Sequence, residues 1–120
     1  MEFSKNNKAI YLQIADSIFE NILTKKWKPE ERLPSVRDFA ISIQVNPNTV
    51  MRAYTYLQEK EIIFNQRGIG FFVSDKAYER SIEIRKTQFI KNELPNVFKN
   101  LDLLGMDISE IEKQYKKKQK

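Results

Sequence analysis

Three groups of side chains in the first half of this chain have the types and spacing to read a polyanion. Asn48, Thr49 and Arg52 lie within about one helical turn of each other, Arg37 precedes them, and Arg67 follows beside Gly68 and Gly70. An amide and a hydroxyl can both donate to and accept from base edges, while a guanidinium pairs with a guanine edge or a phosphate in a fixed two-bond geometry. The same chain is poorly equipped to break bonds. It has no cysteine and no histidine, which excludes thiolate or imidazole metal sites, Ser-His-Asp triads and Cys-His dyads. Glu30-Glu31 and Glu59/Glu61 offer carboxylates without a partner acid or a metal-like cluster, and no glycine-rich phosphate loop is present. No catalytic residue, metal or cofactor is therefore assigned, and the chain is not read as an enzyme.

Each of these residues also has a plainer role. Arg37 is either a DNA contact or a surface arginine paired with a carboxylate such as Asp38. Asn46 is a helix cap that either stops there or also meets a phosphate. Asn48, Thr49 and Arg52 read bases or form a solvated helix face. Gly68 and Gly70 serve a tight hairpin in any case, and they would also let its backbone approach a ligand closely.

The elements that must carry these residues are legible in the periodicity. Ile10, Ile14, Ile18 and Ile22, flanked by Ala15 and Phe19, mark a first amphipathic helix ending near Thr24. Glu31-Arg32-Leu33 reads as a short strand. Ser35, with Asp38 three residues on, has capping-box spacing, and Val36, Phe39, Ala40 and Ile43 give the next helix an apolar face. Gln44-Val45 is the turn. Asn46 caps a third helix over 47–59 with Pro47 at its first position, where a missing N–H is harmless. Val50, Ala53, Tyr54 and Leu57 turn inward, so Asn48, Thr49 and Arg52 point away from the core. Residues 61–66 and 71–73 are β-prone and flank Arg67-Gly68-Ile69-Gly70, giving a hairpin with its tip at 67–70. Helix, turn, helix and hairpin in this order form a device for placing one helix in the major groove, with Arg67 at the minor groove or the backbone.

The remainder is helical. Ile90, Leu94, Val97, Leu101 and Leu104 recur at spacings of four and three, Pro95 should kink their helix, and Gly105 suits its end. Ser109 is the expected cap of a last helix carrying Ile108, Ile111 and Tyr115. The apolar stripe either folds back on its own chain or pairs with another. About 45 residues seldom bury a core alone, which favours a symmetric homodimer with recognition helices about one DNA turn apart, or a small multiple of that. The fold expected is mainly α with a small β-hairpin: a winged helix-turn-helix over 1–75, then a short helical hairpin for dimerisation over 76–120.

Charge adds less than its total suggests. The 120 residues carry a net charge of +5, but residues 1–75 hold ten basic against nine acidic side chains, and 76–120 hold eleven against seven. Most of the excess lies in the tail, where Lys116-Lys117-Lys118 suits a solvated helix end. No apolar run approaches the roughly 20 residues that span a bilayer, and no secretory signal opens the chain, so a cytoplasmic protein without membrane contact is expected.

Leu33-Pro34-Ser35-Val36-Arg37, Val45-Asn46-Pro47-Asn48-Thr49-Val50 and Arg67-Gly68-Ile69-Gly70 with Phe72-Val73 resemble, in order and spacing, the elements of the GntR family of bacterial transcription regulators. The resemblance covers most of residues 9–74, and the short helical end is similar to the YtrA subfamily. It implies a dimeric, operator-binding regulator, usually a repressor, with Arg37, Asn48, Thr49, Arg52, Arg67 and Gly68 at DNA-contact positions. Ser35, Asn46 and Gly70 complete the expected DNA-facing set. Glu30 and Gln44 depart from the family pattern, standing where turn glycines are common.

The partners expected are thus double-stranded operator DNA and a second copy, with no residue marking an effector pocket. A winged helix that binds protein, or coats DNA without sequence preference, is the competing class, and a protein binder would carry a more apolar outward face than Asn48-Thr49-Arg52.

Overall fold

The computed structural model describes residues 8–119. The chain forms two compact units, one running to Glu83 and the other beginning at Ile84.

The first unit contains α1 (Ile10–Leu23), α2 (Val36–Ile43), α3 (Pro47–Glu59), β1 (Ile63–Gln66), β2 (Gly70–Val73) and the start of α4 (Ala77–Gln88). In α1 the residues Ile14, Ala15, Ile18, Phe19 and Ile22 are buried, whereas Ile10, at the head of the stripe, is 46% exposed. The inward face of α3, made of Val50, Ala53, Tyr54 and Leu57, is buried too, and α3 packs against both α1 and α2. These side chains form one core with Leu33, Phe39, Ala40, Ile62, Ile63 and Val73.

Local chemistry sets the helix ends. Ser35 Oγ accepts from the Asp38 N–H at 3.0 Å and starts α2. Gln44 then adopts φ 56°, the left-handed cap that turns the chain toward α3. Asn46 Oδ1 accepts from the Asn48 N–H at 2.8 Å, and Pro47 fills the first helical position. Tyr54 fastens this arrangement to the preceding loop. Its hydroxyl donates to the Pro34 carbonyl at 2.7 Å, and its ring meets Phe39 and Phe71 edge-on.

The hairpin pairs Ile63 with Val73 and Gln66 with Gly70. It starts two residues later than the β-prone run, because Glu61 occupies the preceding turn at φ 60°. The Arg80 guanidinium donates to the Glu61 carbonyl at 2.8 Å. The strand expected over 31–33 is instead a single bridge from Arg32 to Phe72. Its neighbours nevertheless cover the open edge of β2, through Leu33 N–H to Phe71 O (2.8 Å) and Val73 N–H to Glu31 O (2.9 Å).

In the second unit the end of α4 passes through a π turn at Phe89–Glu93 into α5 (Leu94–Leu104), followed by α6 (Ile108–Lys118). The disturbance expected from Pro95 takes this form: its ring crowds the Lys91 carbonyl and offers it no N–H, and the wider turn lies where that bond is lost. A π turn holds one extra residue, so Ile90 is rotated relative to Val97 from its place on an unbroken α-helix. Gly105 ends α5 at φ 62°. The cap of α6 is Asp107, not Ser109. Asp107 forms a reciprocal capping box with Glu110, and the Ser109 hydroxyl donates to the Asp107 carboxylate at 2.9 Å. A carboxylate satisfies the helix start better than a hydroxyl because it also complements the positive end of the helix dipole.

Candidate nucleic-acid interface

The outward face of α3 runs through Asn48, Met51, Arg52 and Thr55, all exposed, with Thr49 half-buried at its edge. Asn48, Thr49 and Arg52 share a shallow groove of about 400 Å³ with Ala9, Ile10 and Tyr11 at the start of α1. Arg52 does not extend freely. Its guanidinium carbon lies 4.1 Å from the centre of the Tyr11 ring, in cation–π contact.

Arg37 occupies the first turn of α2 and is exposed. It lines a separate groove of about 370 Å³ with Ala40, Ile41, Gln44, Val45 and Pro47, over the turn between the two helices. Among the described residues it has no ion-pair partner, so the pairing with Asp38 is not formed. Ser35 and Asn46 each spend one acceptor on a helix start, as described above, and both remain exposed.

Arg67 and Gly68 form the exposed tip of the hairpin, closed by Ile69 N–H to Gln66 O at 2.9 Å. Gly68 has φ 80°, a conformation that favours glycine, and a Cβ there would meet nothing within 4 Å. Gly70 is different. At φ 147° a Cβ would lie 3.0 Å from Arg32 Nε and 3.2 Å from its Nη2. That guanidinium occupies the glycine's open side and donates from Nη2 to the Ile69 carbonyl. Arg32 thus braces the hairpin tip from a segment 37 residues earlier.

The site contains residues that sequence reasoning passed over. Met51, 42% exposed, and Thr55 continue the outward face of α3, and counting three and four residues on from Asn48 would have found both. Tyr11 and Arg32 carry no such local signal, because their partners lie 41 and 37 residues away.

Helix-turn-helix, hairpin wing, and an outward recognition-helix face of amide, hydroxyl and guanidinium groups define a DNA-binding protein of the winged-helix class. The model of the bacterial regulatory proteins of the gntR family matches residues 10–73. The chain belongs to that family. It is 36% identical over 107 residues to the HTH-type transcriptional regulator YhcF of Bacillus subtilis, covering 89% of this chain and 87% of that one. To the HTH-type transcriptional repressor YtrA of the same organism it is 34% identical, covering 89% and 82%. A crystal structure of a GntR-family protein from Bacteroides thetaiotaomicron superimposes with a TM-score of 0.76 at 50% identity, covering 91% of this chain and 95% of that chain. The chain is accordingly a DNA-binding transcriptional regulator, of a family whose members are regulators and not enzymes. Among the described residues no helix is long and apolar enough to cross a membrane.

Proposed function

We propose that the protein is a dimeric, sequence-specific repressor acting in the cytoplasm. In this reading α3, over 47–59, lies in the major groove, and the wing at 67–70 follows the minor groove or the backbone. Asn48, Thr49 and Arg52 read bases, Arg37 reaches a phosphate or a guanine edge, Arg67 enters the minor groove or lies along the phosphates, and Ser35, Asn46, Gly68 and Gly70 meet the sugar-phosphate chain. The observation that carries it is the solvent-facing side of α3, where Asn48 and Arg52 are exposed directly opposite the buried Val50, Tyr54 and Leu57. The repressor assignment draws on the relative named as a repressor.

Residues 1–75 supply DNA binding in this proposal, and 76–120 supply dimerisation. Ile90, Val97 and Leu104 are 55%, 37% and 70% exposed, which is the condition of an apolar face awaiting a partner. Phe98, Leu103 and Ile108 extend the exposed apolar surface. Leu94 is half-buried, and Leu101, only 9% exposed, backs that surface from within the chain.

The test is selection of duplexes by the purified protein from a random pool, followed by titration of the selected and a scrambled duplex at several salt concentrations, with the mass of the complex measured. A preference of about a thousandfold that persists as salt rises, with two chains per duplex, is expected. Equal and steeply salt-dependent binding to both duplexes would instead identify a non-specific DNA coat.

A further inference from the structure

We infer that Tyr11, on the first turn of α1, is a specificity-determining positioning residue: it holds the Arg52 guanidinium in the pose from which it reads a base. This rests on the recognition role proposed above for α3.

Tyr11 is itself fixed. Three residues before the buried Ile14 and on the same side of α1, its half-buried ring meets Tyr56 of α3 edge-on, with centroids 6.3 Å apart and planes at 74°. The helix that carries it packs on α3 through a fully buried set of side chains, so the ring cannot drift relative to the recognition helix. Arg52 lies across the same ring, 4.1 Å from its centre. A free arginine side chain loses considerable rotamer freedom when it engages a base edge, and stacking in advance removes part of that cost. The geometry also divides the guanidinium's work. Stacking uses its flat face, whereas base and phosphate recognition uses the donors on its edge. Those donors take no hydrogen-bond or ion-pair partner among the described residues, and the groove that Arg52 lines opens beside Asn48 and Thr49. An arginine held by its face with its edge unpaired is poised to bind a ligand; a merely structural arginine would be expected to satisfy that edge within the protein.

The experiment uses the full chain and a duplex that the wild-type protein selects from a random pool. Tyr11→Leu should lower affinity for that duplex roughly two- to fivefold, the range of an exposed cation–π contact, and leave affinity for a scrambled duplex unchanged. Tyr11→Phe keeps the ring and should bind as wild type. In an Arg52→Ala background, Tyr11→Leu should change nothing further. Selections repeated with the variants give a second readout, because Tyr11→Leu should relax preference at the base pairs that Arg52→Ala relaxes and at no others. All titrations are run below the melting transition of the least stable variant. If Tyr11→Leu lowers the melting temperature yet leaves the selected sequence and its affinity unchanged, the stack only joins two helices and the inference is overturned. Equal loss on selected and scrambled duplexes, or loss by Tyr11→Phe equal to that by Tyr11→Leu, would overturn it in favour of a phosphate contact by the hydroxyl. If the wild-type protein selects no duplex at all, the recognition reading fails and this inference falls with it.

Discussion

Tyr54 links the recognition helix to the loop that starts α2. The Pro34 carbonyl receives the Tyr54 hydroxyl at 2.7 Å, and burial pushes the phenol well above its ordinary range. Tyr54→Phe leaves that carbonyl without its partner and should cost about 1–2 kcal/mol in urea unfolding. The pH dependence has a definite sign. The folded state binds the phenolic proton more tightly than the unfolded chain, so stability should fall as pH rises above about 10, and the variant should lack that share of the fall. Glu30 is a second residue whose surroundings work against it. It sits at φ 67°, and the neighbouring Asp75 carboxylate raises its pKa through a hydrogen bond and through repulsion. Because the raised group binds its proton more tightly when folded, its unfavourable contribution grows as pH rises through the carboxylate range. Glu30→Gly should therefore raise the melting temperature, and by more at pH 7 than at pH 4.

At the scale of elements, the turns decide where the residues proposed to face DNA point. Gln44 holds a left-handed conformation between α2 and α3 without being glycine. Gln44→Gly should stabilise the protein by about 1 kcal/mol, measured by thermal unfolding, while leaving duplex preference unchanged if the turn geometry is already that of a glycine. The wing makes the opposite case. Gly70→Ala places a Cβ against the Arg32 guanidinium and strains a backbone at φ 147°. The expected result is a loss of duplex affinity greater than that of Gly68→Ala, which also strains a left-handed backbone at φ 80° but whose added Cβ meets only open space. Equal losses would show that Arg32 does not matter to the wing. The caps at Ser35 and Asn46 were legible in the sequence because each depends on residues two or three positions away. The π turn before Pro95 was not. Proline predicts a disturbance, but whether a helix kinks, ends or widens depends on the packing around it.

For the whole molecule, the proposed dimer makes DNA affinity depend on the second unit, although none of its residues is assigned to DNA. Val97→Asp with Leu104→Asp introduces charge into an exposed apolar face without removing any fully buried side chain. The double variant should be monomeric by light scattering and bind the selected duplex at least about a hundredfold more weakly, since each half-site then binds without the other. The melting of the DNA-binding unit should change little. A dimer that survives both substitutions would move the interface away from this stripe.

What the sequence by itself determined is what depends on near neighbours: the amphipathic faces of α1, α2 and α3, the two helix starts, the glycine-tipped hairpin, and an outward face of α3 whose polar residues recur opposite a buried stripe. Those patterns repeat every two to four residues, so a linear chain displays them. Tertiary structure decided which distant side chains meet. Tyr11 lies under Arg52 because α1 and α3 bury their apolar faces against each other, and Arg32 reaches Ile69 because its segment covers the open edge of β2. Side-chain contacts across 37 or 41 residues leave no periodic trace, since they arise only once the core has set the distance between the elements that carry them.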